Sequence, residues 1–204
     1  VHAGLRVYGV YTADSLTFNL GDVPQTLVSE TDLKRMSALK SPNGVLGVFH
    51  KPPEGEIVFT DWILAVDQVS DPGNLGTIIR LCDWFGIPHL LCSPDTVDCF
   101  NPKVLQATMG SMARVNVVYR DLPKILEESG LPIYGAFMDG RPMGESDLPG
   151  KGILVMGNEA HGIAPWIEGL CDYRIGIPQF GSPTAESLNV AMATAILLHE
   201  IRRA

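Results

Sequence analysis

The residues whose types could act on a ligand fall in three stretches rich in glycine and polar side chains. They are Asp71-Pro-Gly-Asn-Leu-Gly-Thr-Ile-Ile-Arg80, Met156-Gly-Asn-Glu-Ala-His-Gly162, and the run from Gln179 to Asn189. Ser187 and Asn189 stand out in the third, because a long apolar helix is predicted from Ser187 onward. A helix start offers unpaired N–H groups and a partial positive charge. Ser and Asn there either cap the helix or turn toward a ligand, and spacing alone does not separate the two. Asp71-Pro-Gly-Asn74, taken alone, has the composition of a turn, and so does Gly157-Asn-Glu159. No Gly-x-Gly-x-x-Gly follows a strand, and no Gly-x-x-x-x-Gly-Lys-Ser/Thr occurs. Those absences argue against a Rossmann-type dinucleotide enzyme and a P-loop nucleotidase.

The elements that would position these stretches follow one rhythm from Trp62 onward. Ile63–Val66, His89–Cys92, Val115–Tyr119, Ile133–Phe137, Ile153–Met156 and Tyr173–Ile177 are short apolar runs suited to buried parallel strands. Helices are predicted at 75–85, from Asn101-Pro102 to 109, at 122–129, at 164–170 and from Ser187. In the last, Leu188, Ala191, Met192, Ala195, Leu198 and Ile201 recur at helical spacing, and most of the helix is expected to be buried. Alternating strands and helices imply an α/β fold, a mostly parallel sheet with helices on both faces. The three stretches then lie beyond the carboxyl ends of strands, where such sheets bind ligands.

Residues 1–55 have a different pattern. Leu5–Tyr11 and Val45–Phe49 read as strands, Ser29 opens a short helix, and Lys51-Pro-Pro-Glu-Gly55 reads as a stiff, solvated linker. The 204 residues are 46% hydrophobic and 19% charged, which suits a globular chain with one large domain and a smaller piece. No run is long or apolar enough to span a bilayer, and no secretory leader is visible. Cys82, Cys92, Cys99 and Cys171 form no Cys-x-x-Cys pair and have no His at zinc spacing, so free thiols in the cytoplasm are expected and no metal site. The formal charge of −8 disfavours broad, non-specific nucleic-acid binding but leaves room for a local basic patch.

Read together, the three stretches are far more specific. Asn74-Leu-Gly-Thr-Ile-Ile-Arg80, Leu154-Val-Met-Gly-Asn-Glu-Ala-His-Gly-Ile163, and Ile177-Pro178 leading to Ser187-Leu-Asn-Val-Ala-Met-Ala193 resemble the three ordered motifs of the SpoU/TrmH family. That family belongs to the SPOUT superfamily of RNA methyltransferases. The resemblance implies a catalytic domain over 56–204 with a C-terminal trefoil knot. It also implies a partial L30e-like RNA substrate-binding domain over 1–55, with the front half expected before Val1. It implies a homodimer that uses S-adenosylmethionine to methylate a ribose 2′-hydroxyl of structured RNA, rRNA or tRNA. Carried over by motif position, Asn74, Arg80, Glu159, Ser187 and Asn189 are the polar active-site residues, and Gly157, Ile177 and Leu188 bind the cofactor. On this reading Arg80 holds a phosphate and stabilises the developing alkoxide, because a guanidinium is a poor base. Asn74 and Asn189 place ribose and phosphate oxygens, Glu159 orients them, and Ser187 both caps and donates. Two departures are visible. The loop before Leu188 is about two residues longer than the family pattern, around 182–185, and Gln106 stands where the family usually has Arg. The alternative is a non-catalytic RNA-binding or ribosome-assembly protein retaining the fold. A methyltransferase of the same fold acting on a base atom is a further one.

Overall fold

A computed structural model describes residues 5–14, 18–39, 41–143, 149–181 and 187–203. The chain divides into two compact units, Val1–Pro53 and Glu54–Ala204. In the first, β1 (Val7–Thr12) pairs in parallel with β2 (Gln25–Leu27) and antiparallel with β3 (Val45–Phe49). Between β2 and β3 lies α1 (Glu30–Met36). Its N-cap Ser29 accepts the Asp32 N–H, with acidic residues in the first turn and basic ones in the last, as the helix dipole favours.

The second unit is a six-stranded, wholly parallel sheet. Its strands are β4 (Ile63–Val66), β5 (His89–Cys92), β6 (Asn116–Tyr119), β7 (Ile133–Pro142), β8 (Ile153–Met156) and β9 (Tyr173–Gly176), ordered β6-β5-β4-β8-β7-β9. Every residue of β4, β5 and β8 is buried, which explains why these strands read as continuous apolar runs. Alternate residues feed two cores. Leu64, Val66, Leu90 and Leu154 pack with α2 (Pro72–Trp84), α3 (Pro102–Ala107) and α6 (Val190–Arg203). Ile63, Ala65, Leu91 and Val155 face α4 (Leu122–Ser129) and α5 (Pro165–Glu168). Helices therefore cover both faces, as the sequence pattern implied.

Three elements differ from their predicted form. β7 continues to Pro142 past an irregularity between Ala136 and Arg141. The predicted strand stops at Phe137, but Arg141 and Pro142 pair with Ile175 and Gly176 of β9, and Arg174 of β9 lies 3.7 Å above the Phe137 ring and pairs with Asp139 and Glu168. β2 was not predicted, because Gln25–Leu27 is exposed throughout and carries no alternation. The supposed solvated linker is partly docked. Asn116 accepts the Gly55 N–H and donates to the Gly55 and Glu56 carbonyls, and Arg120 pairs with Glu54 at 2.8 Å. Ile57 and Phe59 pack on the α4/α5 core.

The helix pair α2 and α6 sets the geometry of the molecule's working end. At their C-terminal ends Arg202 donates to the Phe85 and Gly86 carbonyls and forms a two-pronged ion pair with Asp61 at 2.9 and 3.0 Å. That hydrogen-bonded ion pair holds the Asp61 carboxyl below its usual range against the opposing effect of burial. Gly76 lets α3 approach α2 closely, since a Cβ there would collide with the Ala107 side chain and the Val104 carbonyl.

His89 ties the segment before β4 to the sheet. Its Nε2 accepts the Val58 N–H at 3.2 Å, and burial pushes its pKa down. The unfolded chain, with His near pH 6.5, then binds a proton that the folded chain refuses. Stability from this group is full above about pH 6.5 and declines as the pH falls toward the depressed folded value. The urea midpoint of the wild type is expected to fall between neutral pH and pH values below about 6 more steeply than that of His89→Asn; equal slopes would show that His89 titrates alike in the folded and unfolded states.

Candidate active site

The first wall of the site is the start of α2. Asp71 is its N-cap, accepting the Asn74 N–H at 2.8 Å, and Pro72 occupies the first helical position. The turn reading of Asp71-Pro-Gly-Asn74 is thereby corrected: the same residues that make a turn also open a helix, and here they do the second. Asn74 lies in the first turn, half-buried, with its side chain directed across the sheet end.

The second wall follows β8. Asn158 and Gly162 exchange backbone hydrogen bonds, and the Asn158 side-chain oxygen accepts the Ala160 and His161 N–H groups. A Cβ on Gly157 would strike the backbone of Gly162 and Ile163, so only glycine lets this loop close. The Asn158 amide nitrogen donates to the Gln68 carbonyl at 2.7 Å, and Asp67 accepts the Ala164 N–H at 2.8 Å. Glu159 accepts four hydrogen bonds: from Asn74 Nδ2 at 2.9 Å, from the Ser70 N–H and hydroxyl, and from the Asp71 N–H. Burial works to raise the Glu159 carboxyl, but these donors outweigh it and hold the group below its usual range.

The third wall is the start of α6. The helix begins at Val190, three residues later than predicted, and Asn189 is its cap. Asn189 Oδ1 accepts the Ala191 and Met192 N–H groups, while its Nδ2 donates to Asn74 Oδ1 at 2.9 Å. The capping reading of Asn189 holds, and the other end of the same amide binds Asn74. Ser187 is exposed and makes no hydrogen bond with any described residue, so its expected capping role is corrected. The expected burial of most of α6 is corrected as well. Leu188, Met192 and Ile196 are 52%, 63% and 42% exposed.

The structure thus joins Asn74, Glu159 and Asn189 in one chain of hydrogen bonds. Its direction is forced. Glu159 can only accept, so Asn74 must present its amide nitrogen there and its oxygen to Asn189. The α6 N–H groups can only donate, so Asn189 must give them its oxygen. Arg80 stands apart. It is exposed on α2, six residues beyond Asn74, and its side chain makes no hydrogen bond or ion pair with a described residue. Gly157 and half-buried Ile177 each follow the end of a strand, β8 and β9, and Leu188 lies just ahead of α6. The lengthened loop around 182–185 lies outside the described residues. Gln106 is exposed on α3. Sequence reading missed Gln68, Ser70 and Asn158, whose contributions come from backbone groups or from bonds to distant loops. Among the described residues no cluster of His, Cys, Asp or Glu is placed to hold a metal ion.

Loss of the Asn189 cap in Asn189→Ala is expected to cost about 1 kcal/mol in urea unfolding. Asn189→Ser, which can still accept from α6, should keep most of that stability; equal losses in both variants would assign the effect to the bond with Asn74.

The model of the SpoU rRNA Methylase family matches residues 61–199. The chain is 34% identical over 180 residues to the 23S rRNA (guanosine(2553)-2′-O)-methyltransferase RlmP of Bacillus subtilis, covering 86% of this chain and 71% of that one. It is 34% identical over 148 residues to the 23S rRNA (guanosine-2′-O-)-methyltransferase RlmB of Neisseria meningitidis, covering 69% of this chain and 58% of that one. Among solved structures, a TrmH-family protein from Porphyromonas gingivalis aligns with a TM-score of 0.84 at 38% identity, over 98% of this chain and 84% of that one. An AdoMet-bound rRNA methyltransferase from Sinorhizobium meliloti aligns at 0.85 and 26% identity, over 99% and 82%. With the parallel sheet and the three converging walls, these likenesses establish that the chain belongs to the SpoU rRNA Methylase family.

Proposed function

We propose that this chain is an S-adenosylmethionine-dependent methyltransferase that modifies a ribose 2′-hydroxyl in structured RNA, rRNA or tRNA. The observation that carries the reading is the one-way chain Glu159–Asn74–Asn189 at the carboxyl ends of the strands. It leaves each Asn amide nitrogen a second N–H, which suits the oxygens of a ribose or phosphate.

The cofactor, when bound, supplies a methyl group activated on a sulfonium. The residues present suit such a group. Gly157, where no Cβ fits, and Ile177 and Leu188 at the ends of their segments would hold it, mainly through main-chain groups. Arg80 is free of ion pairs with described residues and is available to grip a phosphate and stabilise negative charge on the attacking oxygen. Glu159 is a poor base, since its oxygens are filled by four donors and its pKa is depressed. It therefore orients Asn74, and the ribose proton leaves to phosphate or water.

The remaining features of this reading are a homodimer, a C-terminal trefoil knot, an L30e-like RNA-binding role for the first unit, and residence in the cytoplasm. Exposed Leu188, just ahead of α6, and exposed Met192 and Ile196, one turn apart on it, support a second copy as their cover. No helix among the described residues is long and apolar enough to cross a membrane.

Incubation with labelled S-adenosylmethionine and total RNA, followed by nucleoside mass analysis, should yield a 2′-O-methyl nucleoside. Arg80→Ala should lower that rate by about 10²-fold or more, the scale of removing one charge-stabilising donor, while calorimetric cofactor affinity stays near wild type. Binding of RNA without methylation by the wild type would instead support a non-catalytic RNA-binding role.

A further inference from the structure

Gln68 sits between the end of β4 and the start of α2 with φ of 56°, in the left-handed region that side-chain-bearing residues avoid. Its two flanking peptides are held from opposite sides. Its N–H donates to Ser93 Oγ at 2.8 Å, and its carbonyl accepts Asn158 Nδ2 at 2.7 Å. Asn158 belongs to the wall that carries Glu159, but Ser93 does not. It follows β5, a strand that contributes nothing else to the site.

The Ser93 hydroxyl is itself oriented. Thr96 Oγ1 donates to the Val66 carbonyl at 3.4 Å, so it accepts from Ser93 Oγ at 3.0 Å. Ser93 then has its proton committed and a lone pair facing the Gln68 N–H. Ser93 and Thr96 are both buried, and Ser93 extends the sheet by donating its own N–H to Val66. The grip is rigid and shielded from water. It bears directly on the site, because Ser70 and Asp71, two and three residues after Gln68, aim their N–H groups at Glu159. A relaxed, right-handed Gln68 would redirect the chain and take those N–H groups and Asn74 away from the carboxylate.

We propose that Ser93 is a positioning residue for the methyl-transfer site, acting through the left-handed peptide of Gln68. The proposal rests on the methyltransferase reading, and its test separates the two. Ser93→Ala is expected to lower kcat by roughly 10- to 100-fold, up to the cost of misplacing a reacting group by about 1 Å, with KM for RNA and cofactor affinity nearly unchanged. Glycine adopts the left-handed region without strain, so Ser93→Ala combined with Gln68→Gly should recover most of the lost kcat. Hydrogen exchange gives a readout free of catalysis. The Ser70 and Asp71 amides should exchange faster in Ser93→Ala and return toward wild type in the double variant. Unchanged kcat and exchange in Ser93→Ala would overturn the proposal, as would a double variant no better than the single one. If the wild type transfers no methyl group, the methyltransferase reading fails, and the exchange pattern alone decides whether Ser93 holds Gln68.

Discussion

The carboxylate of Glu159 is the constraint on which the site depends. It is an acceptor only, and its ionisation is protected by four donors that outweigh its partial burial. From that single fact the orientation of two amides follows, Asn74 first and Asn189 second. The far end is fixed independently, by the N–H groups of α6 that can only donate. A chain of amides pinned by an anion at one end and a helix terminus at the other has one direction, and so presents donors rather than acceptors to whatever lies above it. Donors of this kind suit phosphate and sugar oxygens, and a carboxylate already holding four donors is a poor base.

The sheet is covered by apolar helices on both faces. None of the buried polar side-chain atoms among the described residues lacks a partner. Satisfied hydrogen bonds in a dry setting hold geometry well, which fits a reaction in which most of the barrier reduction comes from orientation.

Most of the scaffold was legible in the sequence because its signals were unambiguous. β4, β5 and β8 are short apolar runs with no competing reading, and α4 is bracketed by Asp121 and by Gly130 at φ 62°. Errors arose where one pattern serves two structures. Asp71-Pro-Gly-Asn74 obeys the rules for a turn and for a helix start, and local sequence does not decide between them. Ser187 and Asn189 are both good caps, and local spacing cannot choose which one the helix uses. The family resemblance named Asn74, Glu159 and Asn189, which the structure joins, but residue type gave no sign of how they bond. The partnership of Asn74 with Asn189 joins segments 115 residues apart, and the contribution of Ser70 comes from backbone, which leaves no trace in residue type.

The double fastening of α2 to α6 has a consequence for how this chain can vary. Asn74 meets Asn189 at one end, and Phe85 and Gly86 meet Arg202 at the other. Each added residue turns a helix by about 100° and lengthens it by about 1.5 Å, so an indel in one helix would unfasten an end unless the other changed in step. The two segments therefore form a matched pair in length, and relatives sharing both fastenings should tolerate insertions in their loops but not within either helix.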